Sequence, residues 1–212
     1  FAPSASYKAG NKYFIYEADE YDRNFLKYHP WLAVIPAVSY DHPDIYPTVK
    51  DYTDAFLRFK SQSEKVIEGS SGSISSGEFR LAGEVRRLDA ALAAEAVLEI
   101  CRDLGGEFSN YKVSDVVKIL NEFPGVGRRF ERLSPGVYSD YAHHPEEISA
   151  TVEVALDEAR ILGSKGVIVV YQPHQNTRQH EVFSSYKDAF LGVSKLFWLP
   201  TYLTRENTKL RV

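Results

Sequence analysis

Residues 167–174 read VIVVYQPH, and the first five form an apolar run with no polar alternation. A short run rich in β-branched residues suits a strand covered on both faces, as in a parallel sheet. The run passes directly into Gln172, His174 and Arg178. Working outward, similar apolar runs occur at 12–18 (KYFIYEA), 32–38 (LAVIPAV), 137–141 and 196–199 (LFWL). Helical patterns lie between them. In 49–61, Tyr52, Ala55, Phe56 and Phe59 fall on one face of a helix. Residues 89–104 are rich in alanine and leucine and stop at Gly105-Gly106, a C-terminal stop signal. Residues 145–162 open with Pro145-Glu146-Glu147, which suits the free N–H groups and positive dipole end of a helix N-terminus, and Gly163 follows the pattern. Strands alternating with helices predict an α/β fold with a mostly parallel sheet.

The polar residues have a position in this scheme. The run at 12–18 leads into Glu17, Asp19, Glu20 and Asp22, and the run at 32–38 into Asp41, His42 and Asp44. The run at 137–141 leads into Asp140, His143 and His144. In open parallel sheets ligands bind outside the carboxyl ends of the strands. Carboxylate and imidazole are both metal ligands, and oxygen donors are preferred by Mg2+. An acidic cluster is also what a solvated loop looks like, and a histidine at a strand end can simply be hydrogen-bonded. Adjacent His143 and His144 would point to opposite sides of a strand, so zinc is not expected there. Arg128-Arg129 follow Gly125-Val126-Gly127 and could hold phosphate by charge-assisted hydrogen bonds, or form surface ion pairs.

Bulk properties narrow the classes. The 212 residues carry a net charge of −4, which gives no support to nucleic-acid binding. No apolar run approaches the roughly 20 residues of a membrane span. One cysteine, Cys101, excludes an internal disulfide and fits a reducing compartment. The chain begins with Phe1 and has no methionine, so a piece of a longer chain is expected. Residues 68–78 (EGSSGSISSGE) have linker character, and Pro and Gly at 121–127 suggest a domain junction.

These residues carry a family resemblance. Glu17-Ala18-Asp19-Glu20-Tyr21-Asp22 with Phe25-Leu26, Asp41-His42-Pro43-Asp44-Ile45-Tyr46, the segment Phe123 to Glu131 (FPGVGRRFE), Asp140 to Pro145 (DYAHHP) and Gln172-Pro173-His174 occur in that order. Together they resemble motifs of the Mur-type peptide ligases, most closely the alanine-adding branch. The resemblance implies a three-layer sandwich with a mostly parallel sheet, incomplete, at 1–122, interrupted at 68–78, and a Rossmann-like domain at 123–212. It implies a cytoplasmic enzyme, monomer or homodimer, that uses ATP and Mg2+ to join L-alanine to UDP-N-acetylmuramate through an acyl phosphate, with neither nucleic-acid nor membrane partners. By motif match, Glu17 and His42 would contact Mg2+. Arg129, Asp140 and Asp89 would contact ATP, with Glu17, His42 and Arg129 serving catalysis. His143, His144, His174 and Arg178 would line the amino-acid and muramate end.

The departures are specific. No GxxxxGK(S/T) phosphate loop occurs in the sequence. The adenine motif of the family is altered at Gly83 to Ala90, where Val85 and Arg86 replace a His-Asn pair and Asp89 an Asn. Gln175 stands where an Arg is usual. A ligase that recycles a whole tripeptide, and a non-catalytic module derived from a ligase, are the competing readings.

Overall fold

The computed structural model describes residues 8–69, 72–174 and 176–203, apart from the side chains of Thr177, Arg178 and Glu181. The chain divides into two compact units. One comprises the described chain up to Arg80 together with Arg87–Phe123; the other comprises Leu81–Arg86 and the described chain from Pro124 onward. Among the described residues the architecture is α/β with three two-stranded sheets, two of them parallel.

In the first unit, β1 (Leu32–Ile35) pairs in parallel with β2 (Lys65–Glu68). Pro36 has no N–H to donate and follows the last strand residue. At the end of β2, a Cβ on Gly69 would lie 2.1 Å from the Pro36 carbonyl oxygen, so only glycine fits this approach. The crossover contains α1 (Val49–Ser61), capped by Thr48, whose hydroxyl accepts from the Asp51 N–H at 3.1 Å. The predicted face of α1 is the buried one: Tyr52, Ala55 and Phe59 join Phe25, Ala33, Ile35 and Tyr46 in one core. Phe25 is 1% exposed, with ring centroids 4.9 Å from Phe59 and 5.1 Å from Phe56.

Helix α2 (Glu84–Leu104) starts before the predicted 89, so the altered adenine motif lies on a helix. Ala90, Ala91, Leu92, Ala94 and Leu98 are buried, and Gly105 ends the helix at φ 67°. Part of the glycine- and serine-rich stretch is tied down by α2: a Glu95 oxygen accepts from the Ser73 N–H and, at 2.8 Å, from the Ile74 N–H. Helix α3 (Val113–Asn121) completes this unit.

In the second unit, β3 (Glu131–Ser134) and β4 (Val137–Ser139) form an antiparallel hairpin turning at Gly136, φ 74°. Helix α4 (Pro145–Ile161) follows, then β5 (Ile168–Tyr171), α5 (Asn176–Val182), α6 (Tyr186–Ala189) and β6 (Lys195–Trp198), parallel to β5. Ile148 and Val152 of α4 pack on Tyr171, Tyr186 and Ala189.

Three strand expectations change. Residues 12–18 form no strand, and Phe14 and Ile15 are 83% and 82% exposed; an extended segment without a neighbour to share its N–H and C=O groups gains no ladder. The 137–141 run pairs antiparallel with β3, because a short turn joins them, and does not join a parallel sheet. β5 is covered on one face only. Tyr171 is buried, whereas Ile168 and Val170 are each 64% exposed, because the α4 and α6 core residues pack on the Tyr171 side. The adjacent histidines do not sit on a strand: His143 is in the loop before α4, and His144 is the N-cap residue.

Gly83 generates a stability prediction. Its φ is +83° and a Cβ would lie 2.1 Å from Cγ2 of Val154. Gly83→Ala is expected to reduce unfolding free energy in a urea titration by about 2–4 kcal/mol, from overpacking plus left-handed strain. Adding Val154→Ala is expected to restore part of that loss by removing the clashing methyl groups.

Candidate functional site

Each unit holds one cluster of the residues singled out in the sequence. In the first unit, the acidic run enters a short 3-10 helix, Tyr21–Lys27, in which Asp22 and Arg23 have left-handed φ of 51° and 57°. The Asp19 carboxylate accepts from the Tyr21 N–H at 3.0 Å, and the Asp19 carbonyl accepts from the Phe25 N–H at 2.8 Å. His42 is also left-handed, at φ 57°. Its N–H donates to its neighbour Asp41 Oδ1 at 2.7 Å, and its carbonyl accepts from the Ile45 and Tyr46 N–H groups.

The imidazole of His42 is partly buried, with Nε2 3.2 Å from Glu20 Oε1 and 3.7 Å from Asp41 Oδ2. The Glu20 carboxyl is held below its ordinary range, first by the hydrogen bond from His42, with burial opposing. An ionised carboxylate can only accept, so Nε2 carries the hydrogen of this pair. The ring also meets the edge of Tyr21 at 5.1 Å. Glu17 is exposed, and Glu20 is the carboxylate placed within hydrogen-bond distance of His42 Nε2. Glu20 was legible in the acidic run, but nothing in the spacing distinguished it from Glu17. Tyr46 anchors the group: fully buried, it donates its hydroxyl to the Glu20 carbonyl at 2.6 Å. Burial raises the pKa of the neighbouring Tyr52 phenol, which stays neutral.

Two carboxylates beside an imidazole match Mg2+ in donor chemistry. Among the described residues, no three His, Cys, Asp or Glu side chains are already gathered around a point that could hold an ion. Asp89 lies exposed on α2.

In the second unit, Asp140 organises the loop. Its Oδ2 accepts from the Phe130 N–H at 2.6 Å and its Oδ1 from the Ala142 N–H at 2.7 Å. Phe130 has φ 49° and stacks on Tyr138 at 4.5 Å; Arg128 has φ 60°. A bulky residue at positive φ is strained and persists only when its surroundings over-determine it. The guanidinium of Arg128 lies 4.5 Å from the Tyr141 ring centre, and that of Arg129 lies 5.9 Å from it.

At the start of α4, one Glu147 oxygen accepts from the His143 N–H at 3.0 Å and the His144 N–H at 3.2 Å. His143 Nδ1 lies 3.0 Å from the Tyr141 carbonyl, and its ring centre is 6.3 Å from that of His174. The structure therefore brings His143 and His174 together. Past β5, His174 bridges Tyr202, and the buried Gln179 amide donates to Thr201 Oγ1 at 2.9 Å. The side chain of Arg178 lies outside the described residues. Sequence reading missed Glu147 and Gln179: the first looked like an ordinary helix-start carboxylate, and the burial of the second has no local signature.

No family model matches the chain. It is similar to curated proteins named UDP-N-acetylmuramate–L-alanine ligase. That of Lactobacillus helveticus (strain DPC 4571) is 28% identical over 232 residues, covering 91% of this chain and 52% of the relative. That of Lactococcus lactis subsp. cremoris (strain MG1363) is 28% identical over 80% of this chain and 46% of the relative. That of Lactobacillus gasseri (strain ATCC 33323) is 28% identical over 92% and 53%. The resemblance found in the motifs is thus matched by a similarity running along most of the chain. The chain spans about half the length of the curated relatives it matches.

Asp140→Ala removes the acceptor of two N–H groups. Native-state hydrogen exchange at the Phe130 and Ala142 amides is expected to accelerate roughly tenfold or more, since a charge-assisted bond contributes about 1.5–3 kcal/mol. Unchanged protection at both amides would show that the loop is held by other contacts.

Proposed function

We propose that this chain supplies part of a cytoplasmic, ATP-dependent ligase that joins L-alanine to UDP-N-acetylmuramate during peptidoglycan precursor synthesis. The observation that carries the reading is the similarity, along 91% of the chain, to proteins named for that reaction. In this reading the muramate carboxylate takes the γ-phosphoryl group of ATP, ADP leaves, and the amine of L-alanine attacks the acyl phosphate. The tetrahedral intermediate then expels inorganic phosphate, and the amine loses a proton.

The chain's own residues divide the work. Glu17 and His42 hold Mg2+, whose contribution is to neutralise charge on the phosphates. Glu20 is within hydrogen-bond distance of His42 and orients its ring. Arg129 supports the transferred phosphoryl group, and Asp140 and Asp89 contact the nucleotide. His143, His144, His174 and Arg178 line the end that receives the amine and the muramate. Glu147 acts on this group through the backbone, holding the His143 and His144 N–H groups. The finer architecture, a three-layer sandwich at 1–122 and a Rossmann-like domain at 123–212, belongs to the same proposal.

Two assays test it. A protein containing this sequence and a phosphate-binding loop is expected to release ADP when given UDP-N-acetylmuramate with L-alanine. Turnover with a tripeptide and none with L-alanine would replace this reading by the recycling ligase. In the same protein, Glu17→Ala is expected to raise the Mg2+ concentration needed for half-maximal rate by roughly tenfold, the loss of one charged ligand interaction. An unchanged Mg2+ dependence would remove Glu17 from the metal site.

A further inference from the structure

The pairing of β5 with β6 runs on past both strands, and His174 sits on that extension. The Leu199 N–H donates to the Tyr171 carbonyl and the Tyr202 N–H to the Pro173 carbonyl, each at 2.8 Å. The Gln172 side-chain amide donates to the Pro200 carbonyl at 3.3 Å. His174 bridges Tyr202 in parallel register, with their ring centres 5.6 Å apart, and the His143 ring centre lies 6.3 Å from that of His174. Tyr202 is 53% exposed, so burial does little to hold it. One buried polar side chain reaches this segment from α5. Gln179 is 2% exposed, and its amide nitrogen lies 2.9 Å from Thr201 Oγ1 and 3.5 Å from Asn176 Oδ1. A buried carboxamide has to place its N–H groups on acceptors, because a donor left unmet carries its full desolvation penalty. The bond to Thr201 therefore joins α5 to the chain after β6, one residue before Tyr202.

We propose that Gln179 is a positioning residue: by holding the Thr201 hydroxyl it fixes segment 200–202 against 172–174, and so fixes the His174 ring beside His143. Groups that share one ligand need a supporting shell, since a displacement of about 1 Å at such a group is enough to impair it. The inference rests on the ligase reading for what His174 does, and on the geometry alone for how His174 is held. It adds to that reading a residue outside the motifs, Gln179, and its partner Thr201.

Two measurements test it. In the 212-residue chain, nuclear Overhauser contacts between the His174 and Tyr202 rings report the held geometry. Gln179→Met keeps the length and the apolar stem and removes the donor. It is expected to abolish most of that ring contact, while the contacts between the paired Val169 and Leu196 stay unchanged. Thr201→Val removes the acceptor from the other end of the bond and is expected to give the same loss, whereas Thr201→Ser keeps the hydroxyl and the contact. The two Thr201 variants carry the test if Gln179→Met unfolds. In the assay of ADP release, Gln179→Met and Thr201→Val are each expected to raise the KM for L-alanine roughly tenfold, with kcat changed less than about twofold. Ring contacts of wild-type strength in both variants, or their loss with KM unchanged, would overturn the positioning role. If the wild type releases no ADP with L-alanine while both variants lose the ring contact, the ligase reading fails and the hold of Gln179 on His174 stands.

Discussion

The first cluster depends on one buried hydroxyl. Tyr46, with no exposed surface, donates to the Glu20 carbonyl, while its own carbonyl accepts from the Tyr40 hydroxyl and its N–H donates to the His42 carbonyl. A buried phenol without a partner would cost free energy, so the ring and the Glu20 backbone are held together. Because residues 12–18 form no strand, this contact and the packing of Phe25 set where the acidic run lies. The Glu20–His42 pair is a consequence of that anchoring.

The second cluster uses a carboxylate for a similar purpose. Asp140 bonds the backbone of Phe130 and Ala142 at once. It thereby ties the arginine loop to the segment that leads into His143 and α4. Glu147 repeats the device one step later on the two histidine N–H groups. The ionisable residues nearest to candidate chemistry are thus partly occupied in holding backbone. Among the described residues, left-handed residues other than glycine occur at Asp22, Arg23, His42, Arg128 and Phe130, within or next to the motif residues. Strain of this kind is retained where surrounding contacts over-determine the geometry.

Helices were legible in the sequence to different degrees. The 49–61 helix was read at its observed bounds from its apolar period, which is a local property. α2 was read short, since Glu84 to Leu88 has no apolar stripe to mark it. Strands fared worse. The apolar run 12–18 has as much β character as 32–35, yet only the latter finds a partner in β2. The uniform apolarity of 167–171 suggested two covered faces, while Ile168 and Val170 face outward.

The sequence by itself determined the helices at 49–61 and 145–162, most of the helix that ends at Leu104, and which chemical groups stand at the ends of the apolar runs. Those properties depend on neighbours within a few residues, so the local pattern contains them. Only the tertiary structure decided that Glu20 meets His42, that His143 faces His174, and that Gln179 meets Thr201. Each of these pairs residues 22 or more positions apart. Their meeting depends on packing and backbone anchoring, which no short-range spacing encodes.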